Sequence, residues 1–173
     1  MTAAVSPSQT DIFIALRAFI LGLIDCEVVR GLGNGVPMPS SPFIAMTELY
    51  QIRLSTNVAS YHDPGDASGT RKVMAPTQYV IQIDCYGPDS SDWATILTTM
   101  LRDEYGVKKL APAAAPLHAD DPKMITLVNG EENYEQRWML TALFQFNPVV
   151  TVSQDFAGAV EIGLVNVDST YQP

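Results

Sequence analysis

Residues 77–86, TQYVIQIDCY, decide the fold; the turn sequence GPD and then SSDWATILTTMLRDEY, residues 90–105, follow them. Apolar residues recur at every second position of the first segment, which is typical of a strand whose alternate side chains face a core. These residues are Tyr79, Ile81, Ile83 and Cys85. The Gly-Pro pair predicts that the strand ends at Tyr86, because proline cannot donate a hydrogen bond to a sheet.

The segment after the turn predicts a long amphipathic helix that packs on the sheet containing this strand. Its apolar residues lie three or four positions apart and form one stripe: Trp93, Ile96, Leu97, Met100 and Leu101. We expect Ser90 or Ser91 to cap the N-terminus, since a serine hydroxyl accepts hydrogen bonds from free helix amides. Gly106 is expected just beyond the C-terminal end, so the helix is predicted over residues 90–105.

The rest of the chain predicts a second helix and several more strands. The second helix is expected to have Thr10 as its N-cap and to extend to residue 24, with apolar residues on more than one side. Such a helix is either deeply buried or shared with a neighbouring subunit. Strands are predicted at residues 26–30, 43–55, 123–128, 134–146, 149–152 and 159–167, with Phe43, Ala45, Ile52 and Leu54 facing inward.

Together these elements predict one α+β domain over residues 1–173, in which a mostly antiparallel β-sheet carries two main α-helices on one face. Residues 1–9 are small, polar and proline-bearing, so we expect them to be flexible or docked on a partner. Residues 107–121 are expected to form a loop, Asn129-Gly130 a hairpin turn and residues 153–158 a short helical turn.

Residues 51–80 predict a long β-hairpin arm that protrudes beyond the sheet. Two strand-capable segments, 51–60 and 70–80, flank the turn-forming sequence YHDPGDASG at residues 61–69. The edge of such an arm exposes unpaired backbone groups unless another chain covers them. We therefore expect the arm to contact a partner subunit.

The charge of the chain favours some partners over others. It has 19 acidic and 10 basic residues, a net charge of −9 and a pI of about 4.4. Tight DNA binding needs many Lys and Arg contacts to phosphates, so the composition argues against it, whereas an acidic surface can line a passage without holding DNA. Only 17% of the residues are charged, which is typical either of an ordinary Ala- and Thr-rich domain or of a protomer covered by its neighbours.

The targeting and thiol patterns predict that the chain is made and assembled in the cytosol. The apolar run at residues 12–24 contains Arg17 and is too short to cross a bilayer, and no signal-peptide pattern precedes it. We therefore expect no membrane contact. Cys26 and Cys85 lack the spacing of a redox or metal motif, so buried free thiols are predicted.

No pattern of catalytic residues stands out, and no cofactor or resident metal is predicted. His62 lies near Asp63, and His118 lies near Asp120 and Asp121, but neither group has the second His or Cys ligand of a closed zinc site. Solvated loop residues are the favoured interpretation of both groups. A small metal-binding accessory hydrolase that uses His118, Asp120 and Asp121 is the alternative.

Several short motifs occur in an order that resembles one family. They are CEVVRG at 26–31, NGVPMP at 34–39, LSTN at 54–57, QIDCYGP at 82–88 with DW at 92–93, LRDEY at 101–105, ADDP at 119–122, LVNGE at 127–131 with YE at 134–135, and NPVV at 147–150. In this combination the chain resembles the neck or tail-terminator proteins of tailed bacteriophages over about residues 13–171. The order and spacing of the motifs carry the resemblance, since each motif alone is weak.

The resemblance implies a structural virion protein and not an enzyme. Proteins of this family are α+β protomers that close into a ring, usually a hexamer, on the last ring of the tail tube. The resemblance also implies that the protein is assembled in the host cytoplasm, ends tail elongation and joins the tail to the head–neck connector. DNA is then only a passing cargo. A head-completion or connector role, as adaptor or stopper, is the alternative within the neck.

The partners implied by the resemblance are copies of the protein itself, the tail tube protein and the head–neck connector proteins. Ring contacts between identical subunits need two different complementary patches on each subunit. We expect Arg71, Lys72 and Tyr61 of the arm, and Phe13 of the first helix, to lie at these subunit interfaces. Reversing the charge of both Arg71 and Lys72 is predicted to weaken ring assembly.

Overall fold

The computed structural model describes residues 3–31, 33, 37, 39–65, 68–128, 134–157 and 162–163. Within these residues the helices are α1 (Gln9–Leu21), α2 (Ser90–Leu101) and α3 (Glu104–Leu110). The strands are β1 (Ala4–Ser6), β2 (Glu27–Arg30), β3 (Phe43–Arg53), β4 (Val58–His62), β5 (Ser68–Met74), β6 (Thr77–Tyr86), β7 (Ala115–Ala119), β8 (Lys123–Met124), β9 (Leu127–Val128), β10 (Tyr134–Glu135), β11 (Arg137–Phe146) and β12 (Val149–Asp155).

Most of the described strands belong to two sheets. The central sheet has the order β2-β3-β6-β11-β7, with β8 also paired to β11, and the second sheet has the order β1-β12-β5-β4. Strands β9 and β10 form a separate antiparallel pair. The pairing of β2 with β3 is parallel, and the other described pairings are antiparallel. The predicted α+β fold with a mostly antiparallel sheet is therefore confirmed.

Strand β6 lies at the centre of the larger sheet and has the predicted bounds. Its alternate residues Tyr79, Ile81, Ile83 and Cys85 are fully buried. They share one core with side chains from the helices and from β11, among them Ile12, Leu16, Ile20, Leu97, Leu140 and Phe144. Because each large aliphatic side chain contributes roughly 1.5–3 kcal/mol when buried, this cluster holds the helices on that face of the sheet.

The opposite face of β6 carries a buried ion pair. Arg137 of β11 donates hydrogen bonds to Oδ1 of Asp84 from Nη2 at 2.9 Å and from Nε at 3.0 Å. The other carboxylate oxygen accepts a hydrogen bond from Nε2 of Gln82 at 2.7 Å. Asp84 is only 3% exposed, so its charge depends on these partners. Beside it, the rings of Tyr86 and Phe43 stack with 4.4 Å between centroids.

The single helix predicted over residues 90–105 is wrong, because two helices share this segment. Helix α2 ends at Leu101, and Asp103 caps α3 by accepting a hydrogen bond from the backbone N of Tyr105 at 2.8 Å. Gly106 lies inside α3 and is buried, where we expected it beyond a helix end. The described residues therefore contain three helices where two were predicted.

The N-caps of α1 and α2 also differ from the predicted ones. Ser8, and not Thr10, caps α1 in a capping box: its backbone N and hydroxyl donate to Oδ2 of Asp11 at 2.7 and 2.8 Å, and the hydroxyl accepts from the Asp11 backbone N. Asp89 is the N-cap of α2, and Ser90 is the first helical residue with a buried hydroxyl. The first described residues form β1 and the start of α1. That residues 1–9 are flexible or docked on a partner stays a prediction.

The loop predicted at residues 107–121 is wrong, since the end of α3 and strand β7 occupy much of it. Strand β7 lies at the edge of the central sheet and tolerates Pro116, because an edge strand needs no donor on its open side. Residues 153–155 continue β12 and do not form the predicted helical turn. The strand predicted at 123–128 is divided into β8 and β9, and the strand at 134–146 into β10 and β11. Asn129-Gly130 and most of residues 159–167 lie outside the described residues.

Residues 51–80 contribute to both sheets. Residues 51–53 pair with 77–79 in the central sheet, and Val58–His62 pairs with residues 70–74 in the second sheet. A hydrogen bond of 2.9 Å from Leu54 N to Pro76 O connects the two regions. Strand β5 pairs with β12 on its other side. Protrusion of the arm beyond the core stays a prediction, whereas Ile52 and Leu54, expected to face inward, are exposed.

Candidate assembly surfaces

A group of exposed apolar side chains follows the chain from the second half of β3 into β4. The first four residues of β3 are buried and its last five are exposed, so the strand leaves the core as it proceeds. We call the large apolar residues of this segment, each between 44% and 60% exposed, the β3–β4 apolar surface: Leu49, Tyr50, Ile52, Leu54, Val58 and Tyr61. Single exposed apolar residues are ordinary, but a group along one segment favours an interaction site.

Helix α1 also presents apolar side chains on its outer side. Ile12 and Leu16 are fully buried in the core, whereas Ile14 is 61% exposed and Leu21 is also exposed. The predicted two-sided apolar character of this helix is therefore confirmed. Its outer side is a second, smaller candidate for contact with a neighbouring protein.

The arm residues Arg71 and Tyr61 lie together, and Lys72 points away from them. Arg71 on β5 is the direct cross-strand partner of Tyr61 on β4, and its guanidinium carbon lies 5.6 Å from the centroid of the Tyr61 ring. Among the described residues, Arg71 Nε is buried without a hydrogen-bond partner. Lys72 is exposed and pairs with Ser60. Because neighbouring residues of a strand face opposite sides, Lys72 belongs to the other face of the sheet.

Phe13 lies within the protomer. It is 5% exposed, its ring meets Tyr79 edge-on with 6.3 Å between centroids, and the guanidinium of Arg30 lies 4.2 Å above it. The residue therefore offers little area to a neighbouring subunit. By contrast, the side chain of Ile14, the next residue of the same helix, is exposed.

The second sheet has one apolar and one polar face. Pairing register places one set of alternate residues on the apolar face, where Arg71 lies between Val152 and Tyr61; its apolar members are Val5, Ala59, Tyr61, Val73, Val150 and Val152. The opposite face carries hydroxyl and charged groups over most of its length, Ser60, Thr70, Lys72, Thr151, Ser153 and Asp155, and apolar side chains at one end, Val58, Met74 and Val149. The apolar face is only partly covered, since none of these six apolar residues is buried.

The charged residues near His118 form a shallow cleft of about 530 Å³, lined by Arg102, His118, Asp120, Asp121 and Lys123. His118 Nε2 lies 3.5 Å from Asp120 Oδ1, and Arg102 Nη2 lies 2.8 Å from Asp121 Oδ1. Arg102 Nε also donates to the Ala119 carbonyl at 2.8 Å. The three residues of the alternative hypothesis, a metal-binding hydrolase that uses His118, Asp120 and Asp121, therefore lie in one cleft. However, the positive charge of Arg102 lies where a metal bound by Asp121 would lie.

Metal and thiol chemistry find no further support in the part of the chain that the structure describes. There, no group of three or more His, Cys, Asp or Glu residues has the arrangement of a metal site. Cys26 and Cys85 are free thiols; Cys85 is buried as predicted, whereas Cys26 is only half-buried. Burial raises the pKa of the Cys85 thiol to about 12 and also raises the pKa of Cys26 above its usual value. Because both pKa values are raised, the thiol form of each side chain is favoured over the more reactive thiolate.

The described residues therefore define an α+β fold, and exposed apolar side chains on β3, β4 and α1 are prominent features of its surface. None of the helices described is both long and apolar enough to span a membrane. The family model of the phage neck terminator proteins matches residues 10–168, and the chain belongs to this family. The resemblance found in the sequence motifs is thereby confirmed. A search of curated proteins gave no significant match.

Membership of this family makes the chain a structural protein of the phage neck and a component of the virion. It also implies contacts with other phage tail or head proteins and with copies of the chain itself.

Proposed function

We propose that this protein forms a hexameric ring that caps the tail tube, ends tail elongation and joins the tail to the head–neck connector. Its partners are then copies of itself, the tail tube protein and the connector proteins. The ring is assembled in the host cytoplasm before it becomes part of the virion. The observation that carries the proposal is the β3–β4 apolar surface, on a strand that leaves the core with exposed side chains.

The energetic argument is that these side chains gain stability only when another protein covers them. Each of the six is about half exposed, so covering it adds roughly half of the 1.5–3 kcal/mol that full burial of a large apolar side chain contributes. Together they are comparable with the net stability of many domains. Association also has an entropic cost, which the buried area must exceed. Val58 and Tyr61 face opposite sides of β4, so covering the whole β3–β4 apolar surface takes contacts on both sides of the strand. Interfaces of the standard size, about 1,600 Å², have room for such contacts.

The net charge of −9 supports the same role. A ring at the end of the tail tube has DNA passing through it, and a protein with few cations has little means to hold the phosphate backbone. DNA is therefore a passing cargo and not a bound ligand.

The test is electron microscopy of particles assembled without this protein. Overlong or headless tails support the terminator role, and complementation with the wild-type protein restores normal particles. Filled heads that lack tails, with tails of normal length, contradict the terminator role and favour a head-completion or connector protein.

A pair of matched variants links this test to the proposed surface. Val58 lies on the β3–β4 apolar surface, and Val107 on α3 has a similar exposure outside it. We expect Val58→Asp to fail in complementation and Val107→Asp to restore particles. Equal complementation by both variants contradicts a role of the β3–β4 apolar surface in the ring.

A further inference from the structure

We propose that the second sheet continues from one protomer to the next, with β4 of one copy paired to β1 of its neighbour. The inference rests on the ring of the proposed function and names the two strand edges that join its subunits. Each open edge of the sheet then pairs with a strand of a second copy of this chain.

The first argument is that the second sheet ends in two open edges. Its order is β1-β12-β5-β4, so β1 and β4 each have one strand neighbour among the described residues. All five residues of β4 and all three of β1 are exposed. An exposed edge is a template for pairing with another chain, and a protein must either cover it or block it.

The second argument is that the two edges have opposite strand directions. The three pairings β1–β12, β12–β5 and β5–β4 are antiparallel, so β1 and β4 run in opposite directions. Rotation about a ring axis that lies roughly along the strands preserves these directions in every copy. Strand β4 of one copy therefore meets β1 of the next copy as an antiparallel pair, the pairing already used within the sheet.

The third argument is that the faces also match. The pairing registers place Val5, Val150, Val73 and Ala59 in one row across the apolar face, from the β1 edge to the β4 edge. The same rotation keeps the apolar face of each copy on the same side. The Val5 side chain, which is exposed, would then lie beside the apolar side chains of the neighbouring β4.

A symmetric pairing of β4 with β4 is the competing arrangement. Two copies related by a two-fold axis through the sheet also form an antiparallel pair, but this contact closes at two copies and leaves both β1 edges open. A ring needs a contact between two different patches, which the β1 and β4 edges supply.

The experiment is disulfide crosslinking of assembled protein. Two double variants place thiols on the same face of the two edge strands: Val5→Cys with Ala59→Cys, and Val5→Cys with Tyr61→Cys. They test two neighbouring pairing registers between β1 of one copy and β4 of the next. Val5→Cys with Ser60→Cys is the control, because Ser60 faces the other side. The wild-type protein controls for Cys26 and Cys85. We expect a ladder of covalent multimers from at least one of the first two variants and no ladder from either control.

Two results would overturn the inference while leaving the proposed function intact. One is a ring, measured by native mass, in which the single variant Ala59→Cys or Tyr61→Cys forms covalent dimers and neither double variant forms a ladder. The other is a ring in which amide hydrogen exchange of Val58–His62 and Ala4–Ser6 is as fast as in the monomer, where we expect slowing by roughly tenfold or more. Absence of any ring, even with tube protein present, contradicts the proposed function itself.

Discussion

The Arg71 guanidinium lies over the Tyr61 ring, with 5.6 Å from its carbon to the ring centroid, and the two residues are direct cross-strand partners on β5 and β4. Tyr61 belongs to the β3–β4 apolar surface, whereas Arg71 Nε is buried and has no hydrogen-bond partner among the described residues. A cation held against an exposed ring beside an open strand edge is a suitable group for contact with an acidic neighbour.

Charge reversal at the arm is expected to weaken ring assembly. The double variant Arg71→Glu, Lys72→Glu has no cation at position 71 to lie over the Tyr61 side chain or to contact an acidic neighbouring subunit. The new carboxylates also add repulsion between copies that already have a net charge of −9. We expect the midpoint concentration of assembly to rise by about tenfold or more, equivalent to about 1.4 kcal/mol. Analytical ultracentrifugation over a concentration series measures this change.

The single variants separate the two faces of the sheet. Arg71→Glu is expected to reproduce most of the effect, and Lys72→Glu to assemble almost as well as the wild type, because Lys72 lies on the polar face. Circular dichroism checks that the monomer fold is intact. If the folded double variant assembles at the wild-type concentration, the arm is not part of the ring interface.

The buried ion pair is expected to be important for stability. Arg137→Ala leaves Asp84 buried with Gln82 as its remaining described side-chain partner, so we expect a loss of about 3–5 kcal/mol in the free energy of unfolding. Asp121→Ala is the control, since Asp121 is 85% exposed in its pair with Arg102 and should cost less than about 1 kcal/mol. Urea titration measures both. Equal losses in the two variants would show that the Asp84–Arg137 pair has no special role.

Gly106 inside α3 and Gly22, the C-cap of α1, should respond differently to alanine. A Cβ on Gly106 would lie 2.6 Å from the Met100 carbonyl oxygen and 3.2 Å from Leu101 Cα, so the turn between α2 and α3 would have to shift. At Gly22 the nearest atoms are 3.4 Å away, in ordinary contact. We expect Gly106→Ala to lower the free energy of unfolding by about 1–3 kcal/mol and Gly22→Ala to change it much less. Thermal unfolding compares them, and a Gly106→Ala variant as stable as the wild type contradicts the close contact.

The capping box of α1 predicts a pH effect. Hydrogen bonds from the backbone and the hydroxyl of Ser8 lower the pKa of Asp11 below its usual value of 3.8. A carboxyl group with a lowered folded pKa stabilises the fold above its unfolded pKa, and this contribution is lost as pH falls through the folded value. Asp11→Asn should therefore reduce the loss of stability just below pH 3.8, relative to the wild type.

Ser8→Ala tests the cap itself at neutral pH. We expect a loss of about 1 kcal/mol, with Thr10→Ala as the control, because Thr10 was the cap predicted from the sequence and does not occupy that position. A larger effect at Thr10 than at Ser8 would contradict the observed capping box.

The central strand could be predicted from the sequence because its signal is local. Strand β6 alternates apolar residues over its whole length, and Gly87 with φ of 114° begins the turn that ends it. The break between α2 and α3 was missed because Tyr105, which packs on the same core, follows the last stripe residue Leu101 by four positions, the spacing of a continuous helix. The break depends on Asp103, whose capping role becomes evident only from its hydrogen bond to Tyr105 N.

The candidate interface could be predicted only in part. Tyr61, Arg71 and Lys72 were predicted from the position of the arm, and a strand over residues 70–80 already places Arg71 and Lys72 on opposite sides. The sequence could not show which of the two shares a face with Tyr61, since this depends on the pairing register. Ile52 and Leu54 were expected inside because they are apolar, yet β3 leaves the core before it reaches them. Strand β1 gave no signal in the sequence, because three residues are too few for a period.

The central claim, that this neck protein acts by assembling with copies of itself, is tested most directly by the native mass of the purified protein alone and with tail tube protein. The account predicts a closed ring of about six copies of the 18.8 kDa chain, at least when the tube protein is present. A single 18.8 kDa species under both conditions would contradict it.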